Sequence, residues 1–314
     1  MQPLFSRLLA GLAVALLTTH AVAIVNDNGN SPGLPLTLDL GGVGLLSNHC
    51  SSVLLAGGTH VLAAGHCAAG PGETVSFQGG TVTATIAETI YAPGIDLGAG
   101  INDLSISRLA APVTAVAGYA WATASALPTA IVLAGYGAGG SGASGVSEVG
   151  DTLRFGFNDY EELLADDPDH MPSALYDGTV VGFDFDDGSA ALSRFGSLGV
   201  AGEAGLAPGD SGGPSFALLS GVWTLVGIHN AVADGLGFGF GGIGYDVLVS
   251  RYALWIDAVT AVPEPTSTAL LLAGLMVVAG ATIRGSNLAR LTLKNAFTLR
   301  TLASCVNRRC TKAW

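Results

Sequence analysis

One serine stands in a turn suited to reaction: Gly209-Asp210-Ser211-Gly212-Gly213-Pro214. Closely spaced glycines let the backbone adopt φ values that a Cβ disfavours, so the chain can wind tightly around the Ser211 hydroxyl. Such a turn can direct the amides of Gly209 and Ser211 at one point, where they would stabilise a negatively charged oxygen. A neutral hydroxyl is nevertheless a weak nucleophile. It needs a base within hydrogen-bond reach and a third group that orients the base, so the reading requires a partner histidine and a carboxylate brought in from elsewhere.

The elements that would position them are strands. Glycine is 46 of 314 residues and charged residues are only 11%, but Val, Ile, Leu and Phe alternate between the glycines, the pattern of a turn-rich β protein. From Thr37 to Phe77 short apolar runs are broken by Gly pairs, which predicts antiparallel hairpins. One hairpin is expected from Cys50 through Leu55, a turn at Ala56-Gly57-Gly58-Thr59, and Val61 to Cys67. Ile101 to Leu109 alternates as a strand, 111–128 reads as a crossover, and a strand restarts at Ile131 to Gly137. Gly139 to Gly145 reads as a flexible surface loop, Val222 to Ile228 as a strand, and Ser250 to Ile256 has helical spacing.

The hexapeptide around Ser211 resembles the nucleophile loop of the chymotrypsin/trypsin-like serine proteases, and two more segments match in the family's order. Ala63-Ala64-Gly65-His66-Cys67 is similar to its histidine segment and Asn102-Asp103-Leu104 to its aspartate segment. The resemblance covers about residues 24–260. It implies an all-β fold of two antiparallel six-stranded Greek-key barrels (24–118 and 119–250) with a short C-terminal helix (248–260). It also implies a serine endopeptidase without cofactor, in which Ser211 attacks, His66 carries the proton, Asp103 fixes the imidazole tautomer, and the Gly209 and Ser211 amides hold the oxyanion. Cys50 and Cys67 match the disulfide beside the catalytic histidine. The specificity pocket would involve Gly205, Leu206, Asn230 and Val232, with His229 on its wall. Gly205 stands where trypsin-like members carry an Asp, so an apolar or small side chain is expected before the scissile bond; the nearby Glu203 keeps a basic preference open.

The ends read as addresses. Arg7, the apolar run Leu8 to Leu17, and Ala21-Val22-Ala23 form a secretory signal over residues 1–23, the alternative being an uncleaved anchor. Removal by signal peptidase would leave Ile24-Val25 at the start of the 24–261 domain. In the family a new Ile-Val terminus pairs its ammonium with the Asp preceding the nucleophile, here Asp210; the alternative is a disordered end. Val262-Pro263-Glu264-Pro265 followed by an uncharged stretch to Ile283 and then Arg284 resembles the PEP-CTERM sorting signal of Gram-negative bacteria (262–284), which implies an exosortase partner, transient anchoring in the inner membrane, and a cell-envelope or extracellular-matrix destination. An ordinary single-span anchor is the alternative. The basic tail, 285–314, receives no function.

The charge is as uneven as the hydropathy. The central span from Asp27 to Glu264 holds all 24 acidic residues, and only Arg108, Arg154, Arg194 and Arg251 oppose them, which excludes nucleic acid and anionic membrane as its partners. Asp159 to Asp169, with Asp184, Asp186 and Asp187 beyond, is read as a solvated acidic face because no EF-hand spacing occurs. His49, Cys50, His60, His66 and Cys67 lack CxxC or HxxxH spacing, so no metal is expected, and His49 and His60 are read as solvent-facing turn residues. A catalytically silent binding protein on the protease fold, or an envelope or matrix structural protein, is the rival reading.

Overall fold

The computed structural model describes residues 24–26, 33–98, 100–124, 127–165, 177–196, 199–233, 238–261 and 275–276. The chain begins with β1 (Ile24–Asn26), then builds β2 (Val43–Leu46), β3 (Ser51–Leu54), β4 (His60–Ala64), β5 (Thr74–Phe77), β6 (Val82–Tyr91) and β7 (Leu104–Leu109). Strands β2 to β7 close into the expected six-stranded barrel, in the order β2-β3-β4-β7-β6-β5. In β5 burial alternates, with Val75 and Phe77 inward, as a strand with one wet face requires. β3 and β4 are buried along their whole length, because one face fills the barrel and the other meets the second half of the chain.

That second half contains β8 (Ala130–Gly135), β9 (Gly139–Ser141), β10 (Gly145–Glu148), β11 (Arg154–Asp159), β12 (Glu162–Ala165), β13 (Asp177–Phe185), β14 (Ala204–Gly205), β15 (Pro214–Leu219), β16 (Val222–Ala233) and β17 (Gly242–Leu248). Its hydrogen bonds among the described residues form a seven-stranded sheet, β11-β8-β15-β16-β17-β13-β12, and a four-stranded sheet, β10-β9-β1-β14, rather than six strands in one closed circuit. The second half is barrel-like, as the expected fold requires, and β1 inserts between β9 and β14, parallel to the first (Ile24 opposite Gly139) and antiparallel to the second (Val25 opposite Gly205).

The same insertion corrects the expected loop at Gly139 to Gly145. Glycine has little strand propensity of its own, but β1 supplies a ladder for Gly139–Ser141, and a Cβ on Gly140 would stand 2.0 Å from the Gly145 carbonyl oxygen. The closeness of the two strands demands glycine there. A 3-10 turn (Val249–Tyr252) leads into α1 (Ala253–Thr260), where Ile256 is buried and Leu254 faces out.

Two surface expectations are overturned. His60 sits inside β4, is buried, and has its Nδ1 2.9 Å from the Thr59 hydroxyl. Asp184, Asp186 and Glu203 are buried too, so the acidic cluster is partly an interior one. Its carboxylates serve backbone amides: Glu161 Oε2 accepts from Asp184 N at 2.8 Å and Glu203 Oε2 from Asp186 N at 2.9 Å. The expected signal (1–23), His170, and the apolar run after Pro265 apart from Leu275 and Met276 lie outside the described residues. Among the described residues no helix is long and apolar enough to cross a membrane.

Burial pushes the Glu203 carboxyl up to about 8. The fold therefore favours its protonated form, a contribution complete below the unfolded value near 4.5 and lost as pH rises through about 8. Glu203→Gln keeps an acceptor for the Asp186 amide without the charge. The melting temperature of this variant is expected to match the parent at about pH 5 and to exceed it by roughly 3 °C or more at about pH 9.

Candidate active site

His66 lies in the 3-10 turn Gly65–Cys67 that ends β4. Because β4 pairs with β7, Ala64 opposite Leu104, Asp103 arrives at the start of β7 beside this turn. Its two oxygens divide the work: Oδ2 is 2.6 Å from His66 Nδ1, and Oδ1 accepts from the His66 backbone N–H at 2.7 Å. A carboxylate can only accept, so the ring proton sits on Nδ1 and Nε2 keeps its lone pair. A Cβ on Gly65 would come within 2.8 Å of Asp103 Oδ1, which fixes glycine before the histidine. The Asp103 side chain is 4% exposed and that of His66 38% exposed, leaving the far edge of the ring open.

The turn is held from both ends. Asn102, at φ 50°, donates to the carbonyls of Pro93 and Gly94 and accepts from the Tyr252 hydroxyl at 2.6 Å. The expected disulfide is present, joining Cys50 to Cys67 with Cα atoms 5.9 Å apart. The Cys67 sulfur in turn lies 3.5 Å from the Ser211 carbonyl oxygen, so the serine loop packs directly against the residue that follows His66.

Ser51, which the sequence reading passed over, fastens that loop. Its N–H donates to the Ser211 carbonyl at 3.0 Å, its hydroxyl donates to the Gly209 carbonyl at 2.8 Å, and the same oxygen accepts from Tyr136 N at 2.8 Å. On the other side the loop is zipped to β16, with Gly212 N donating to the His229 carbonyl and His229 N to the Gly213 carbonyl, both at 2.8 Å. Gly209 and Gly212 have φ of 96° and 82°, the left-handed region that a side chain resists. The Pro208 carbonyl accepts from Ala138 N, and in a trans peptide this turns the Gly209 N–H to the opposite side. Neither that amide nor the Ser211 amide donates to any group among the described residues.

Asp210 is wholly buried. Its oxygens accept from Gly137 N at 2.8 Å and Ala207 N at 2.9 Å. Burial lifts its carboxyl to about 6, against the pull of His229, those amides and Arg154. Arg154, buried itself, donates to the Gly137 carbonyl at 2.7 Å. In the uncut chain Ile24 has no free ammonium to offer Asp210, but β1 carries Ile24 and Val25 fully buried in the same half of the molecule.

Beside Ser211 opens a cavity of about 140 Å³ whose lining includes Leu206, Ala207, His229, Asn230 and Val232. Three of the four expected specificity residues thus border it. Gly205 does not; it borders a smaller adjoining hollow with Phe185, and a Cβ there would stand 2.8 Å from the Phe185 ring, so the position cannot hold an Asp without displacing that ring. Glu203 faces another hollow with Asp186 and Asp187, away from Ser211, which removes the sequence ground for a basic preference. The buried pair of His229 with Asp246, Nδ1 to Oδ1 2.7 Å, was not legible in advance. Asp246 sits in an ordinary strand pattern, and only the register of β16 with β17 brings it to His229.

An imidazole oriented by a carboxylate, a serine in a glycine turn packed against the residue that follows that histidine, and two amides without an acceptor among the described residues together fit general-base activation of a hydroxyl for attack on a carbonyl. Among the described residues no group of three or more His, Cys, Asp or Glu could hold a metal ion. A family model described as Trypsin matches residues 41–256. No curated protein matches the chain.

The disulfide closes a loop of 17 residues in sequence separation. Replacing Cys50 and Cys67 together by Ala is expected to lower the unfolding free energy by about 3 kcal/mol. A urea titration would read this as a lower midpoint, and an unchanged midpoint would remove the disulfide from the stability of the site.

Proposed function

Because the chain belongs to the trypsin family, matched over residues 41–256, we propose that it is a serine endopeptidase with His66, Asp103 and Ser211 as its catalytic residues. The observation that carries this reading is the 2.6 Å contact between His66 Nδ1 and Asp103, made beside a serine loop whose two amides are unengaged. His66 Nε2 takes the Ser211 proton as Oγ attacks the substrate carbonyl carbon, and Asp103 stabilises the imidazolium that forms. The negative oxygen is met by the Gly209 and Ser211 amides, a donor of this kind being worth about 10²–10³ in rate. The imidazolium then protonates the leaving amine, and water, activated by the same nitrogen, hydrolyses the acyl-enzyme.

The substrate class is protein or peptide. The apolar walls of Leu206, Ala207 and Val232 support the expectation of an apolar or small residue before the scissile bond. The protein is proposed to be exported, with signal peptidase cutting after Ala23. The freed ammonium of Ile24 would then become a partner for Asp210, whose carboxyl is otherwise held up at about 6 by burial; a positive neighbour would pull it down and keep it ionised. Sorting through the 262–284 segment by an exosortase would release the domain to the envelope or matrix.

Three outcomes are expected. A fluorophosphonate probe labels the protein, and Ser211→Ala abolishes the label; absence of labelling in the folded parent would favour a silent binding protein. Asp103→Asn lowers kcat by roughly 10⁴, seen with any cleaved peptide. Edman sequencing of the exported protein begins at Ile24, and any other start would end the proposed pairing with Asp210.

A further inference from the structure

Every carbonyl from Pro208 to Ser211 is held, and the holders come from separate parts of the chain. Ala138 N donates to the Pro208 carbonyl at 2.8 Å, Gly213 N to that of Asp210 at 2.8 Å, and Ser51 N to that of Ser211 at 3.0 Å. The Gly209 carbonyl takes its bond from a side chain instead, the Ser51 hydroxyl on β3, at 2.8 Å. That oxygen accepts from Tyr136 N, also at 2.8 Å. The hydroxyl therefore has its single proton committed to Gly209 and its oxygen pinned from behind. Ser51 is wholly buried, which keeps solvent from competing for either bond.

Gly209 needs that hold more than its neighbours do. Its φ of 96° lies where glycine is least restrained, and a Cβ there would stand 2.9 Å from the Gly137 Cα, so a stiffer residue cannot take its place. The direction of its N–H is fixed by the carbonyls on either side of its Cα. The Pro208 carbonyl faces Ala138, and the Gly209 carbonyl faces Ser51. Release of the second bond lets Gly209 turn about its own Cα and swing the amide in front of it. Ser211 is tied separately, through its carbonyl to the Ser51 main chain, a bond that survives a change of side chain. The Ser51 hydroxyl thus governs one amide of the turn and not the nucleophile.

Resting on the serine endopeptidase reading above, we propose that Ser51 is a positioning residue for the oxyanion: its hydroxyl holds the Gly209 N–H at the point where the negative oxygen of the tetrahedral intermediate forms. Ser51 touches neither substrate nor reacting atoms and acts through Gly209. Its bonds cross the seam of the molecule, from β3 in the closed barrel to Tyr136 and Gly209 in the second half. Gly212 permits the approach, since a Cβ there would come within 2.3 Å of the Ser51 carbonyl oxygen. The oxyanion donors belong to one half and their clamp to the other, so the site is complete only when the halves are docked.

The test compares the full exported protein with its Ser51→Ala and Ser51→Thr variants, each titrated with the fluorophosphonate probe and assayed on one cleaved peptide 4-nitroanilide. Ser51→Ala is expected to lower kcat by roughly tenfold or more with KM little changed, because a small misplacement of a donor is enough to slow the chemical step. A peptide aldehyde, which becomes a hemiacetal oxyanion on Ser211, should lose affinity by the same factor as kcat. The matching peptide alcohol, which forms no adduct, should bind as it does to the parent. Ser51→Thr keeps the hydroxyl and should restore both kcat and aldehyde affinity. Parent-like kcat and aldehyde affinity in Ser51→Ala, a loss confined to KM, or a folded Ser51→Thr as slow as Ser51→Ala would each overturn the assignment and leave the endopeptidase reading intact. If Ser51→Ala does not fold, 15N relaxation dispersion on the parent decides: a Gly209 amide in one position supports the assignment, and exchange between two positions overturns it. Folded parent that neither takes the label nor cleaves any peptide would overturn both readings.

Discussion

The buried carboxylate of Asp210 is the constraint around which the site is built. A charged or polar group removed from water must find partners, and this one finds them in the amides of Gly137 and Ala207. Those two bonds draw the end of β8 and the start of the serine turn against each other. They leave so little room that a Cβ on Gly135 or Gly137 would come within 2.2 Å or 2.6 Å of the carboxylate. The glycines around Ser211 are thus matched by glycines on the strand that receives it, and the conformation of the turn follows from satisfying Asp210.

Ser51 extends this fastening across the seam between the halves. One hydroxyl on the closed barrel bonds at once to the Gly209 carbonyl and the Tyr136 amide, while its neighbour Cys50 is tied to Cys67. The relative placement of His66 and Ser211 therefore rests on rigid strands and a covalent link, the kind of support that holds reacting groups within narrow tolerances. Loop residues carry the chemistry, and strands β3, β4 and β16 set where the loops lie.

Two histidine–aspartate pairs flank the serine turn, built alike and exposed differently. In the pair of His66 and Asp103 the ring opens to solvent, which suits passing a proton to and from substrate. In the pair of His229 and Asp246 both side chains are wholly buried, so that ring is shut away from water. The same chemical unit is thus set in two different environments, and only the one open to water fits the proposed proton transfer.

The contact of His66 with Asp103, the disulfide, the first barrel and the closing helix were legible in the sequence, and so was Ser211 as the candidate nucleophile. Each belongs to a short local segment that is suggestive by itself, as the glycine turn around Ser211 or the alternation along a strand, or that resembles a segment of the serine-protease family, as those of His66, Asp103 and the two cysteines. What stayed hidden depends on pairing between distant segments. Gly139–Ser141 is a strand only because β1 lies against it, His60 is buried because β4 is covered on both faces, and Asp184 and Asp186 are interior although their sequence is that of a wet surface. Asp246 meets His229 through the register of two strands, and a register shift of one residue would have sent its side chain to the other face. Local sequence determined which groups could react, and only the tertiary structure decided which of them are buried and with what they are partnered, since burial and pairing are properties of the packed chain.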